Sequence, residues 1–506
     1  MKLTISIILI VFFLRNTIAI AQEGNANLPP YSKKISAQLW KKIDQRMIPS
    51  WYQDAKFGIF IHWGPYSVPS WSPVGTYTEW YQKWLVSRNI FGNNNPDPKA
   101  IPNFQDRVYG ESSSYYDFGK MFKAELYNPN LWAKLFRRSG AKYVVLTSKH
   151  HDGFTLWPNR EAQDMRQFKW NSGEVGAKKD LIAPYMSAMR EEGLKAGLYY
   201  SLYEWYHPWY VDSDPRFVTK HYHPQFKDLV NRYVPDLIFA DGAWDHDDRY
   251  WRSGELLTWL YEESPCKEYV VINDRWFKGC RHKHGGYRTT EYEVKGMEGD
   301  KPWEENRGMG FSFGYNRAEN IENYTSAKAL VLMLCDLVSM GGNLLLNVGP
   351  RADGTIPVIM QERLLQIGKW LDVNGEAIYG TRKWHRSFQW SEGDRDYTSK
   401  KKVSYVGGDY ILKQTVRSSK GKAVKELFFT KKGDDLYAIS PIWPGDKLIV
   451  RNVKVSNNSI ITLLGHEGPL AFKESNGGVI VSLPPYNPNG NLVEYAYVIK
   501  IENIQE

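Results

Sequence analysis

Two carboxylates and a run of histidines are the residues of this chain best placed to do chemistry. The segment Asp236-Leu-Ile-Phe-Ala-Asp-Gly-Ala-Trp244 begins as a short apolar strand and stops at Asp241 before Gly242, so a carboxylate is presented where a strand ends and a loop begins. A second run, Tyr143-Val-Val-Leu-Thr-Ser-Lys-His-His-Asp-Gly-Phe154, ends the same way with His150, His151 and Asp152. Glu291, in Thr289-Thr290-Glu291-Tyr292, closes a third, shorter piece. Two carboxylates flanking a bond are what glycoside hydrolysis requires, one as nucleophile or base and the other as proton donor. The pair alone does not select that chemistry, because the chain holds 56 Asp and Glu residues.

Other chemistries fit less well. A metallohydrolase built on a barrel needs two histidines at alternate positions of a strand, whereas adjacent residues such as His150 and His151 point to opposite faces while the strand lasts. A metal site is therefore disfavoured, and hydrogen bonding to substrate hydroxyls is the better functional reading, with satisfied structural histidines as the bland one. His62, in Ile61-His62-Trp63-Gly64 at the end of the first strand, can join them. No Gly-x-Gly-x-x-Gly or phosphate loop follows a strand. Neither a metal nor an organic cofactor is expected.

These residues need a scaffold that brings strand ends together. Strand signals fall at 57–62, 143–149, 196–201, 237–241, 269–275, 289–293, 310–315 and 343–348. Amphipathic helical stretches lie between most of them, at 130–138, 182–192, 224–233, 256–263 and 327–340, and a further helix at 358–374 closes this part. Alternation of this kind predicts a (β/α)8-like TIM barrel, irregular where helices are short or missing, with catalytic groups at the C-terminal strand ends. After about Gly380 short alternating runs separated by Gly, Asn, Pro and Asp turns predict a C-terminal antiparallel β-sandwich. The expected division is 1–21, 22–380 for the barrel and 381–506 for the sandwich.

Residues 1–21 read as a secretory signal: Lys2 gives a positive start, 3–14 form an apolar run too short to span a bilayer, and Ala19-Ile20-Ala21 precedes Gln22 as a small-residue cleavage site. The mature protein is expected to be soluble and exported, periplasmic or extracellular, and not held in a membrane. Three cysteines are an odd number and too few for a disulfide framework, and Cys335 falls in an apolar helical run as a buried thiol. The net charge of +9 is scattered rather than gathered into a basic tract with stacking aromatics, so nucleic acid is not expected as a partner. An aromatic fraction of 15%, with 20 Trp and 33 Tyr, gives a weak hint of carbohydrate, whose apolar faces stack on flat rings.

Taken in order, several segments resemble the family 29 glycoside hydrolases, the α-L-fucosidases. They are Phe57-Gly-Ile-Phe-Ile-His-Trp-Gly64, Glu79-Trp-Tyr81, the run from Ala141 to Phe154, Gly197-Leu-Tyr-Tyr-Ser201, Pro235 to Gly242, Asn273-Asp-Arg-Trp276, Gly310-Phe-Ser-Phe-Gly-Tyr-Asn316 and Gly341-Gly-Asn-Leu-Leu-Leu-Asn-Val-Gly-Pro350. The resemblance implies a retaining hydrolase of fucosylated glycans with Asp241 as nucleophile and Glu291 as general acid and then base. Glu293, Glu298, Glu304 and Glu305 lie close enough in sequence to compete for the second role. By the same resemblance His62, Glu79, Trp80, His150, His151, Tyr199 and Arg275 hold the sugar. One departure is visible: some members carry Trp two residues before the nucleophile, where this chain has Phe239. Two rival readings stay open, a retaining glycosidase for another L-sugar such as an α-L-galactoside and a catalytically silent carbohydrate-binding protein.

Overall fold

The structure, a computed structural model, describes residues 31–506 except 89, 91–96, 163–165, 293–298, 396–419, 457, 476, 489, 491–494 and 506. The expected leader, Glu293 and Glu298 thus lie outside the described residues. Eight strands, β1 (Phe57–Ile61), β2 (Tyr143–Lys149), β3 (Lys195–Ser201), β4 (Leu237–Asp241), β5 (Val271–Ile272), β6 (Arg288–Glu291), β7 (Trp303–Gly308) and β8 (Gly342–Val348), form one parallel sheet in the order β5-β4-β3-β2-β1-β8-β7-β6. Every position of β1, β2, β4 and β8 is buried, as expected of parallel strands covered on both faces.

The sheet curls into a (β/α)8-like barrel. At its seam, between β5 and β6, the Gly286 N–H donates to the Asn273 carbonyl at 3.2 Å and the Tyr287 N–H to the Ile272 carbonyl at 3.0 Å. Only glycine fits there, since a Cβ on residue 286 would lie 1.9 Å from the Ile272 carbonyl oxygen. Outer helices follow most strands: Pro129–Arg138, Ile182–Glu191, His223–Tyr233, Ser253–Glu262, Ala327–Ser339 and Val358–Asn374. Their local signals are physical ones. Asn128, for example, caps the first of these by accepting from the N–H groups of Asn130 and Leu131, both at 3.1 Å, with Pro129 at the first helical position. Its buried Trp132, Ala133 and Phe136 then face the barrel. Among the described residues the β5–β6 and β6–β7 connections carry no helix.

Two strand expectations need correction. Residues 310–315 are not a strand; they form a loop whose N–H groups serve carboxylates instead of a neighbouring chain, Phe311 and Ser312 donating to Glu319 and Gly314 to Glu79. The strand is β7, whose Trp-Glu-Glu-Asn-Arg-Gly composition hides it. Its acids are met internally at one oxygen each, Glu304 by the hydroxyls of Tyr52 (3.0 Å) and Tyr143 (2.6 Å) and Glu305 by that of Thr290. The strand expected over 269–275 shrinks to Val271–Ile272, because the side chain of Asn273 takes over the ladder, accepting from the Ala240 N–H and donating to the Ala240 carbonyl.

Beyond the barrel, β9 (Arg382–Trp390), β10 (Lys425–Lys432), β11 (Asp435–Ser440), β13 (Ile461–Leu463) and β16 (Tyr497–Ile501) make an antiparallel sheet in the order β13-β16-β11-β10-β9. A second sheet has the order β12-β15-β14, from Lys447–Arg451, Gly478–Ser482 and Phe472–Ser475. β9 and β14 had no counterpart in the sequence pattern. Alternation along β10 and β11 separates two contacts. Phe428, Tyr437 and Ile439 join the barrel's core, while Leu427, Phe429, Leu436 and Ala438 pack with Leu448, Val450, Val479 and Val481 of the second sheet. A buried ion pair, Lys425 with Asp336, and the Trp370 indole N–H to the Ala496 carbonyl at 2.9 Å tie the sandwich to the barrel. All three cysteines are buried and unpaired, and among the described residues no helix is long and apolar enough to cross a membrane.

Candidate active site

The C-terminal ends of the strands open into a cavity with about 340 Å³ of water-accessible space. Asp241, Glu291, His62, Glu79, Trp80, His150, His151, Tyr199 and Arg275 all line it. Gly242 makes the presentation of Asp241 possible. It turns the chain with a φ of +74°, and a Cβ there would lie 2.2 Å from the ring of Tyr203.

Arg275 organises the charge. Its Nη1 donates to Asp241 at 3.2 Å and to Glu291 at 3.3 Å, with Nη2 also 3.3 Å from Glu291. The guanidinium is aimed from behind: its Nε donates to the Thr289 hydroxyl at 3.0 Å, which in turn donates to Asp274 at 2.7 Å. Burial alone would push the Asp241 carboxyl up, but Arg275 and the Gly242 N–H hold it below the usual aspartate value. Glu291 moves the other way, raised by burial and by the negative charge of Asp241 against the pull of Arg275. One fork therefore serves two carboxyls whose pKa values are driven apart, Asp241 toward the ionised form and Glu291 toward the protonated one.

The histidines are neutral hydrogen-bonding groups with assignable tautomers. Ser201 donates its hydroxyl proton to the Tyr203 carbonyl at 2.7 Å, so the His151 Nδ1, 2.7 Å from that hydroxyl, must be the donor. Its Nε2 lone pair is left near Asp241, 3.7 Å from the carboxylate. The same logic holds for His62. Asn347 donates its amide to the Phe313 carbonyl, so its oxygen accepts from the His62 Nδ1 at 2.7 Å. Burial pushes His62 down to about 4 and His151 to about 3, and His150 well below the usual imidazole range.

The reason given above for setting a metal aside does not survive. β2 ends at Lys149, so strand alternation no longer applies at His150 and His151, and both face the cavity. Asp241 already accepts from Arg275 at 3.2 Å and from the Tyr199 hydroxyl at 3.1 Å, and the Nδ1 atoms of His62 and His151 are committed to Asn347 and Ser201. Among the described residues the group of side chains at metal-ligand spacing is Glu204, His207 and His221, where Lys149 and Arg166 already hold the carboxylate at 2.9 and 2.5 Å.

Glu79 sits on a short 3-10 turn, Thr78–Trp80, and accepts from the Gly314 N–H at 2.8 Å and the Ser312 hydroxyl at 3.2 Å. Burial still raises it to about 7. Of the competing acids, Glu304 and Glu305 are spent on hydroxyls beneath the cavity and do not line it. Several lining residues escaped the sequence reading, among them Trp244, Arg281, Asn306 and Phe313. Trp244 had a signal, three positions beyond Asp241 in the same segment, whereas Arg281 and Asn306 had none. Phe60, Phe239 and Phe313 form an apolar wall, with Phe60 4.9 Å from Phe239 and 6.5 Å from Phe313 between ring centres.

Known proteins share both the sequence and the fold. A family model described as Alpha-L-fucosidase matches residues 26–376, and one described as Alpha-L-fucosidase C-terminal domain matches 420–502. The chain is 37% identical to the tissue alpha-L-fucosidase of Homo sapiens over 476 residues, 92% of this chain and 91% of that protein. It is 38% identical to the tissue alpha-L-fucosidase of Mus musculus over 475 residues, 92% of this chain and 94% of that protein. An alpha-fucosidase of Thermotoga maritima, solved in complex with a mechanism-based inhibitor, superposes with a TM-score of 0.72 at 31% identity, covering 92% of this chain and 99% of that one.

Proposed function

Because this chain belongs to the alpha-L-fucosidase family of glycoside hydrolases, we propose that it releases terminal α-L-fucosyl groups from oligosaccharides or glycoconjugates by double displacement. In the first step the Asp241 carboxylate attacks the anomeric carbon while Glu291 delivers its proton to the departing oxygen. The C1–O bond breaks and an ester to Asp241 forms. In the second, ionised Glu291 takes a proton from water, whose oxygen displaces Asp241 from C1. The shared nitrogen of Arg275 carries this reading. At 3.2 and 3.3 Å from the two carboxylates it holds those oxygens at or below the short limit, about 6.5 Å, that an inverting pair needs to seat a water. The opposite pKa directions suit the two roles.

The remaining lining groups fit a sugar. The Nε2 lone pairs of His62 and His151 accept from hydroxyls, Glu79 adds a further polar contact, and Trp80 offers a face. Fucose is 6-deoxy, and the wall of Phe60, Phe239 and Phe313 receives its methyl group. With Phe in place of Trp at 239, that wall has no indole N–H to offer a C6 hydroxyl. Proton NMR of aryl α-L-fucoside hydrolysis should show α-L-fucose as the first-formed anomer, and the matching α-L-galactoside should turn over about 10²-fold less efficiently. Early β-fucose would sink the retaining mechanism, and equal turnover would return the L-galactoside reading.

Export belongs to the same proposal. The positive start, short apolar run and Ala19-Ile20-Ala21 site support removal of residues 1–21 during passage to the periplasm or exterior. N-terminal sequencing of exported protein should begin at Gln22; recovery of the uncleaved chain in the cytoplasm would end this reading.

A further inference from the structure

The cavity is at the lower end of the volumes that hold small ligands, roughly 300–1,000 Å³, so it accommodates one sugar ring and leaves the rest of a glycan at the mouth. All twenty tryptophans are described, and Trp244 is the most exposed of them, at 40%. It stands as part of the cavity wall, three residues beyond Asp241, carried there by the turn at Gly242.

The ring is held rather than loose. It lies offset and nearly parallel to Trp80, 6.1 Å between centres at 25°, and is met edge-on by His151 at 5.4 Å and Tyr203 at 5.5 Å. Trp80 and Trp244 thus continue one aromatic surface from inside the cavity to its mouth. A flat, fixed, water-exposed indole beside the point where the leaving group departs suits a partner with a patch of axial C–H bonds on one face and hydroxyls around its edge. A lone exposed apolar residue is ordinarily unremarked; this one is singled out by its continuity with the site.

We propose that Trp244 is the platform of a leaving-group subsite that takes a pyranose by its apolar face. This rests on the fucosidase reading and adds to it the residue that holds the first sugar ring of the leaving group. Stacking there contributes only where the leaving group has a ring to stack, so the effect of removing the indole depends on the substrate.

The test compares the wild type, Trp244→Ala and Trp244→Phe on two substrates, α-L-fucosyl fluoride, whose leaving group is a single atom, and a fucosyl disaccharide with a pyranose aglycone. Circular dichroism and thermal melts establish that each variant is folded. Trp244→Ala should lose at least about tenfold more kcat/KM on the disaccharide than on the fluoride, and Trp244→Phe, which keeps a flat ring, should recover most of that difference. A loss of similar size on both substrates, or no recovery by Phe, overturns the subsite. Wild-type protein that cleaves neither substrate would instead overturn the fucosidase reading on which it rests.

Discussion

Asp241→Ala should lower turnover of an aryl α-L-fucoside by roughly 10⁴-fold or more while leaving the fold intact. Asp241 is the cavity's ionised carboxylate, held in that state by Arg275 and the Gly242 N–H. Glu291, although on the same guanidinium, is driven toward its protonated form and cannot take over the attack. The variant also leaves an empty volume on the face of the sugar that Asp241 occupied. Azide can enter it and displace the leaving group directly, giving β-fucosyl azide with inverted configuration. Near-normal turnover in a folded variant would remove Asp241 from the mechanism.

Glu291→Ala should show the opposite stereochemistry. An aryl group with a stable anion departs with little protonation, so the ester to Asp241 still forms, and it accumulates because no base activates water. Turnover of a sugar leaving group, which needs the proton, should fall by roughly 10²–10⁴-fold. Azide requires no base; it attacks the intermediate from the face the leaving group vacated and gives α-fucosyl azide. The pH profile supplies a second readout. In the wild type, rate rises as Asp241 ionises, below the usual aspartate value, and falls as Glu291 loses its proton, above the usual glutamate value. The falling limb at Glu291 should vanish in the variant, and any change remaining near pH 7 belongs to Glu79. A β azide from this variant, or α azide from Glu293→Ala or Glu298→Ala instead, would move the acid elsewhere.

Much of the scaffold was legible along the chain because its signals are local. A parallel strand covered on both sides reads as an apolar run, and β1, β2, β4 and β8 were visible for that reason. The helix Pro129–Arg138 announced itself through its own periodicity. Where the reading failed, the stabilising partner was remote. β7 carries two glutamates that look exposed until Tyr52, Tyr143 and Thr290 meet them. β5 was cut short by a side chain, Asn273, standing in for backbone.

The site divides in the same way. Residue type and strand-end position, read with the family resemblance, were enough to nominate Asp241, Glu291 and the seven residues gathered with them around one cavity. Chain order could not say which of the two carboxyls holds its proton more tightly, since that depends on burial and on a single arginine nitrogen shared between β4 and β6. Nor could it say that His62 and His151 turn lone pairs to the cavity, because Asn347 and Ser201 set those tautomers from other strands. Side-chain identity and local periodicity belong to the sequence. Charge state, tautomer and exposure arise from distances between residues far apart along the chain, and those exist only once it has folded.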